Sequence, residues 1–244
     1  MASIRHISNP RVLDRSVWVG NCSDEVFSGG VDPADIQRAA ALWDNLDPDP
    51  YLRDGGSYRQ RRYAEMSYDA RGDTLVHLAK TDFYQSNLYN QVNGGTRKFT
   101  LIEESFLEGR LLRPILRHFS KRFAAALGAC RLELFLHQVR IFAEPGSSGL
   151  PTPEGIHKDG VDFSCQVLFG RQNVRGGESI IYDNDRNPLL GTTMLNPLDF
   201  YCFSDREIYH SVTPVESLDG STRATRDILG IEFCVRRERA GEEA

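Results

Sequence analysis

Two spacings of apolar residues divide the chain. In the first half they recur three and four apart, the period of a helix that buries one face. Within "VDPADIQRAAALWDNL" this spacing is kept by Ile36, Ala39, Ala40 and Trp43. Asp32 stands where an N-cap belongs, Pro33 at the first helical position and Asp35 in the first turn, so a helix is predicted from Pro33 onward. A second helix is predicted through "RPILRHFSKRFAAALG", with Ile115, Leu116, Phe119, Phe123 and Leu127 as its apolar stripe and Gly128 as its stop. After Cys130 the texture changes. "LELFLHQVRIFAE", "FSCQVLFG", "ESIIYD", "TTMLNPLDFYCFS", "IYHSVTPV" and "DILGIEFCVR" are short, aromatic and β-branched, and separated by Gly, Pro, Asn and Asp. Such runs predict antiparallel strands of a sandwich or barrel. An earlier strand, "RKFTLIEES", is expected to join them.

The fold class that follows is mainly β with flanking helices (α+β), built on a jelly-roll or cupin-like core. One domain spans residues 1–244: a helical and mixed part over 1–129, the β-core over 130–238 and a tail over 239–244. Two sheets of this type leave a mouth between them, a natural ligand site.

Composition narrows the function classes. A formal net charge of −5 argues against a general nucleic-acid binder. No apolar run is long enough for a bilayer span, and the first residues lack an apolar signal region, so a cytoplasmic protein is expected. The five cysteines, at 22, 130, 165, 202 and 234, form no C-x-x-C pair and are expected to be buried reduced thiols.

The candidate chemistry centres on "GIHKDGVDF". His157 and Asp159, two residues apart, fall on one side of an extended chain, and Lys158 on the other. A strand-like run follows at once. A distant histidine, His210, ends another such run, and Arg226 opens the last. Two imidazoles and a carboxylate on one face of a metal leave three positions open, the arrangement of non-haem Fe(II) oxygenases. Oxygen needs one position and a bidentate 2-oxo acid needs two. The distal carboxylate of 2-oxoglutarate then needs a buried cation, and a guanidinium offers two parallel hydrogen bonds without losing its charge. Arg226 is preferred for this, with Arg223 as rival. The same residues would also serve as surface polar groups at strand ends.

These stretches, with "LHQVRI", "RQNVRGGES", "LNPLDFYCFSDREIYHSVTPV" and "TRDILGIEF", make the chain resemble the bacterial Fe(II)/2-oxoglutarate dioxygenases that hydroxylate free amino acids, the L-isoleucine dioxygenase group. The resemblance covers most of residues 130–236. It implies a double-stranded β-helix with iron held by His157, Asp159 and His210, and 2-oxoglutarate held by Arg226. It also implies O2 as co-substrate and an amino acid hydroxylated at an unactivated C–H, as 2-oxoglutarate is converted to succinate and CO2. Because Asp159 is retained, the chain looks like an oxygenase rather than a related halogenase. Desaturation or ring closure, a peptide or carrier-bound target, and a non-catalytic β-sandwich binding module are the alternatives.

Around this centre, "HQVRIF" alternates, so Gln138 and Arg140 share a face opposite His137 and Val139. If that face lines the mouth, Arg140 clamps a carboxylate; otherwise it is exposed or ion-paired. Arg97 could likewise bind a substrate carboxylate or pair internally. Gln85, between Tyr84 and Asn87, reaches over the pocket or belongs to a solvated loop. Asp162 either meets an ammonium or caps a turn, and Asn173 with Gly176 and Gly177 is read as a hairpin turn. His137 is read as an ordinary packed histidine and "YRQRRY" as a solvated face. His6, His77 and His118 receive no role, and "RRERAGEEA" is read as a frayed tail.

Overall fold

The computed structural model describes residues 11–14, 16–52, 54–87 and 94–235. The expectations for His6 and for the tail from residue 236 lie outside them.

From the N-terminus, β1 (Arg11–Asp14) and β2 (Val17–Asn21) form a hairpin, followed by a short helix, α1 (Cys22–Glu25). Helix α2 (Pro33–Ala40) starts as predicted: the Asp32 carboxylate accepts from Ala34 N at 2.9 Å and Pro33 takes the first position. It tightens into a 3-10 turn, Ala41–Asn45, that carries Trp43. Next come β3 (Asp47–Pro48), β4 (Arg59–Asp69), β5 (Thr74–His77), β6 (Asp82–Gln85) and β7 (Gly95–Lys98). Helices α3 (Glu104–Leu107) and α4 (Leu112–Leu127) follow, and Gly128 ends α4 in the left-handed conformation at φ 60°. The second half is strands: β8 (Arg131–Ala143), β9 (Ser148–Gly149), β10 (Phe163–Gln172) and β11 (Val174–Gly176). Then come β12 (Ser179–Tyr182), β13 (Pro188–Thr192), β14 (Asp199–Ser204), β15 (Tyr209–Val212), β16 (Val215–Ser217) and β17 (Ala224–Val235).

The main sheet runs β1-β2-β14-β10-β17-β8-β4-β3, with β5 on β4, and its strand pairs are antiparallel. Smaller sheets, β13-β12-β15 and β11-β16-β9, complete the double-stranded β-helix. Period-two alternation splits the main sheet into two surfaces. One takes Leu132, Leu134 and Leu136 of β8 and Leu229, Ile231 and Phe233 of β17 into a core shared with Ile115, Leu116, Phe119 and Phe123 of α4. Burying each such side chain contributes roughly 1.5–3 kcal/mol, which makes this stripe the main attachment of the helix. The opposite surface turns toward the small sheets and the cavity described below.

Three expectations are corrected. "RKFTLIEES" does not join the main sheet: Gly95–Lys98 pairs with β6 in a two-stranded sheet, and Leu101 makes an isolated bridge to Tyr63. "YRQRRY" is no solvated face, because Arg59 opens β4, which pairs with β8 along its whole length. Among the cysteines, Cys22, Cys165 and Cys202 are buried as free thiols but Cys130 is exposed. No helix among the described residues is long and apolar enough to cross a membrane.

Trp43 fastens the 3-10 turn to the sheet. Its ring stacks on Phe169 at 4.6 Å, meets Phe106 edge-on at 5.2 Å, and its Nε1 donates to Val139 O at 3.1 Å. Trp43→Ala is expected to lower the unfolding free energy by about 3–5 kcal/mol in urea denaturation. Val76→Ala, at a side chain 53% exposed, should change it by less than about 0.5 kcal/mol.

Candidate metal centre

His157 lies on an irregular segment and His210 on β15, yet their backbones are clamped together. His157 N donates to His210 O at 3.0 Å and His210 N to His157 O at 2.9 Å. The two rings follow, with centroids 4.2 Å apart. His157 Nε2 is 3.5 Å from Asp159 Oδ1 and His210 Nε2 is 3.8 Å from Asp159 Oδ2. One ligand atom from each residue lies within 4.8 Å of the others, so all three can reach one ion. The donor set fits a borderline divalent cation. His157 Nδ1 is 2.9 Å from Gly155 O; it must donate there, which leaves Nε2 free to ligate.

The turn that presents Asp159 is held from below. The buried Asp205 carboxylate accepts from Asp159 N at 2.8 Å, Gly160 N at 2.7 Å and Val161 N at 3.2 Å. Burial and the nearby Asp159 push the Asp205 pKa up to about 6, against those three donors. Lys158 points away, as expected, to Asn184 Oδ1 at 2.9 Å and Arg206 O at 2.5 Å. Burial opposes charge on His157, but Asp159 and Glu154 outweigh it and raise its pKa to about 9. Burial, then the neighbouring His157, depress His210 to about 3.

The three residues form part of the wall of a cavity of about 140 Å³. Its floor is the cavity-side surface of the main sheet: Arg59 and Arg61 of β4, His137, Val139 and Ile141 of β8, and alternate residues of β17 from Arg226 to Glu232. Arg226 is 4% exposed, has no ion-pair partner among the described residues, and its Nε has no hydrogen bond. Burial, with the nearby Arg171, pushes its pKa down to about 10 against Tyr201 and Asp227. Space for it depends on Gly177: at φ +69° a Cβ there would stand 3.1 Å from Arg226 Cδ. Arg223 lies outside, exposed, bonded to Glu144 and stacked on Phe142 at 4.8 Å.

Arg97 and Gln85 line the cavity. Arg140 and Gln138 do not, and their assignment to the mouth is corrected. Even-numbered residues of this part of β8 face α2 and the 3-10 turn. Arg140 is held there by Asp227, at 2.7 and 2.8 Å, and by Asp44 at 2.8 Å, while Gln138 donates to Leu42 O at 3.3 Å. Tyr84 is 70% exposed. Asp162 accepts from Val235 N at 2.8 Å and pairs with Arg206, a structural role. Asn173, at φ 53°, ties its turn to Ser217, Asp219 and Thr222. His77 and His118 do not line the cavity.

The polar lining residues that sequence reasoning missed include Arg59, Arg61, Glu154, Tyr201 and Glu232. His137, read as a packed histidine, is buried against Tyr63 and Phe83 and also lines the cavity. The available signal was parity. Once Arg226 is placed in the mouth, Ile228, Gly230 and Glu232 must share its side of the strand.

Comparison with known proteins places this geometry. Residues 40–232 match the model of the 2OG-Fe dioxygenase family. The crystal structure of a bsmA homologue from Methylobium petroleophilum PM1 superposes with a TM-score of 0.77 at 30% identity, over 85% of this chain and 83% of that one. The 3(1)-hydroxy-L-isoleucine 4-dioxygenase of Pantoea ananatis is 26% identical over 204 residues, 82% of this chain and 81% of that protein. The bifunctional enzyme flvA of Aspergillus flavus is 35% identical over 105 residues, 37% of this chain but only 13% of flvA. A facial set of two histidines and an aspartate on a double-stranded β-helix, within so long a family match, has one meaning: the chain belongs to the 2OG-Fe dioxygenase family, whose enzymes use Fe(II), 2-oxoglutarate and O2.

Proposed function

We propose that this enzyme hydroxylates an unactivated C–H bond of a free L-amino acid or close derivative, with His157, Asp159 and His210 holding Fe(II) and Arg226 holding 2-oxoglutarate. The observation that carries the reading is the convergence of the three ligand atoms within 4.8 Å on the wall of a cavity that also contains a buried, unpaired guanidinium. In the overall reaction one oxygen atom of O2 enters succinate as CO2 leaves 2-oxoglutarate, and the other enters the substrate as hydroxyl. Iron supplies the activation of O2 that the protein's own side chains cannot.

The chain's share is positioning and exclusion of water. The His157–His210 bridge and Asp205 fix the ligand atoms before any ion arrives, so little reorganisation is needed on binding. Arg226 offers a planar fork to the distal carboxylate, and the exposed Arg223 is already committed to Glu144. Apolar walls such as Val139, Ile141, Val212 and Ile228 exclude water around the reacting carbon. The amino-acid class is supported by the Pantoea ananatis relative, whose name states such a substrate.

Four outcomes test this. With Fe(II) and 2-oxoglutarate, a panel of free amino acids should yield succinate and a product heavier by one oxygen in equal amounts; a product lighter by two hydrogens assigns desaturation or ring closure instead. His210→Ala and Asp159→Ala should abolish turnover, and titration should show Fe(II) affinity reduced beyond the roughly 10–100-fold expected of Asp205→Ala. Arg226→Ala should raise the 2-oxoglutarate KM about 100-fold. Arg223→Ala should leave it within about twofold, as for an exposed pair.

A further inference from the structure

On the flank of the cavity formed by β4 and the β6–β7 hairpin, positive charge is in excess. Arg59 Nε is matched by Asp49 Oδ2 at 2.7 Å. Arg61 reaches the same oxygen only at 3.9 Å, and Arg97 has no ion pair among the described residues. The Nε atoms of Arg61 and Arg97 are buried without a hydrogen-bond partner. Both guanidinium planes lie on aromatic rings: Arg61 4.7 Å from the centroid of Phe99, Arg97 4.9 Å from Phe83 and 5.9 Å from Phe99. The rings hold the guanidinium carbons in place, and the unpartnered Nε groups leave an N–H of each for an acceptor.

Opposite them stands Glu232, a carboxylate 8% exposed whose ion-pair neighbour is His137 Nε2 at 3.3 Å. His137 cannot be a full countercharge. Arg61 Nη2 lies 2.7 Å from His137 Nδ1, and a guanidinium can only donate, so Nδ1 is an acceptor and the ring is neutral with its proton on Nε2. A neutral imidazole is thus wedged between Arg61 and Glu232, a carboxyl whose pKa burial and the nearby Asp159 raise and which a ligand's ammonium would favour as carboxylate. A second connection holds the cations relative to the metal centre. Arg97 Nη2 donates to Gln85 Oε1 at 2.8 Å, and Gln85 Nε2 donates to the main-chain oxygen of Asp159 at 3.0 Å. Both ends of that amide are specified by their partners, so its orientation is fixed.

We infer that Arg61 and Arg97 grip the carboxylate of a free α-amino acid and Glu232 receives its ammonium group. This rests on the proposed function and narrows it: the substrate carries both charges, as a peptidyl or carrier-bound residue does not. β4 lies two strands from β17, about 10 Å away at the usual strand spacing. In register Arg226 faces Arg59 across Ile141, and Arg61 lies two residues further along β4, so the Arg61–Arg97 flank and Arg226 are assigned to different carboxylates. Gln85 acts as a positioning residue, setting the distance between the bound carboxylate and the metal.

The test is calorimetric binding to the enzyme loaded with Fe(II) and 2-oxoglutarate under anaerobic conditions. The probes are the proteinogenic L-amino acids and, for the best binder, its carboxamide and its deamino carboxylic acid. The carboxamide should bind at least about 100-fold more weakly. Glu232→Gln should weaken the amino acid at least about tenfold yet leave the deamino acid within about twofold, a contrast that misfolding cannot produce. Arg97→Met should weaken both about 100-fold and leave 2-oxoglutarate affinity unchanged. Equal binding of acid and carboxamide, equal loss of both ligands in Glu232→Gln, weakened 2-oxoglutarate binding in Arg97→Met, or binding by no amino acid would each overturn the clamp. If Fe(II) or 2-oxoglutarate itself fails to bind, the proposed function falls and the clamp with it, a result visible before any amino acid is added.

Discussion

Two main-chain hydrogen bonds, exchanged between His157 and His210, are what the rest of the site depends on. They join an irregular segment to a four-residue strand more than fifty positions further along the chain. Side-chain placement follows from them, because once two backbones are locked in an antiparallel bridge the imidazoles have little freedom left. Asp205 adds the third coordinate by gathering the amides of Asp159, Gly160 and Val161. A buried carboxylate is costly to keep unless donors meet it, and here the donors belong to the turn being held.

Above this clamp, the main sheet divides labour by parity. On β17 the apolar Leu229, Ile231 and Phe233 go to the core under α4, while Arg226, Ile228, Gly230 and Glu232 face the cavity. β8 repeats the division in the opposite sense of numbering, with Leu132, Leu134 and Leu136 on the core side and His137, Val139 and Ile141 on the other. Charged groups on the wrong side are neutralised where they stand, as Arg140 is by Asp227 and Asp44. Those on the cavity side are left partly unmatched, a cost that the proposed ligands of complementary charge would offset.

How much of this was legible follows from what each signal depends on. The helices Pro33–Ala40 and Leu112–Leu127 were readable because caps and apolar stripes are local. His157, Asp159, His210 and Arg226 stood out because their types suit one chemistry and they sit beside apolar runs. Arg140 was misplaced because alternation in "HQVRIF" says which residues share a face but not which face is inside. Each face there mixes polar and apolar groups, His137 with Val139 and Ile141 on one and Gln138 and Arg140 with Phe142 on the other, so the hydrophobic contrast is too weak to decide it. β4 was misread because its arginines find their partners far away: Arg59 with Asp49, Arg61 with His137 and Arg62 with Glu103. A charge-dense strand whose countercharges come from other elements looks, in one dimension, like a solvated surface.

The same parity has an evolutionary consequence. Stability and selectivity are inherited through different residues of the same strands, odd positions of β17 serving one and even positions the other. Substitutions that reshape the mouth can therefore accumulate without loosening the packing beneath α4, and repacking under that helix leaves the mouth's charges in place. A scaffold partitioned in this way can exchange one small molecule for another by changing a few alternate side chains, with the turn that presents Asp159 carried along unaltered.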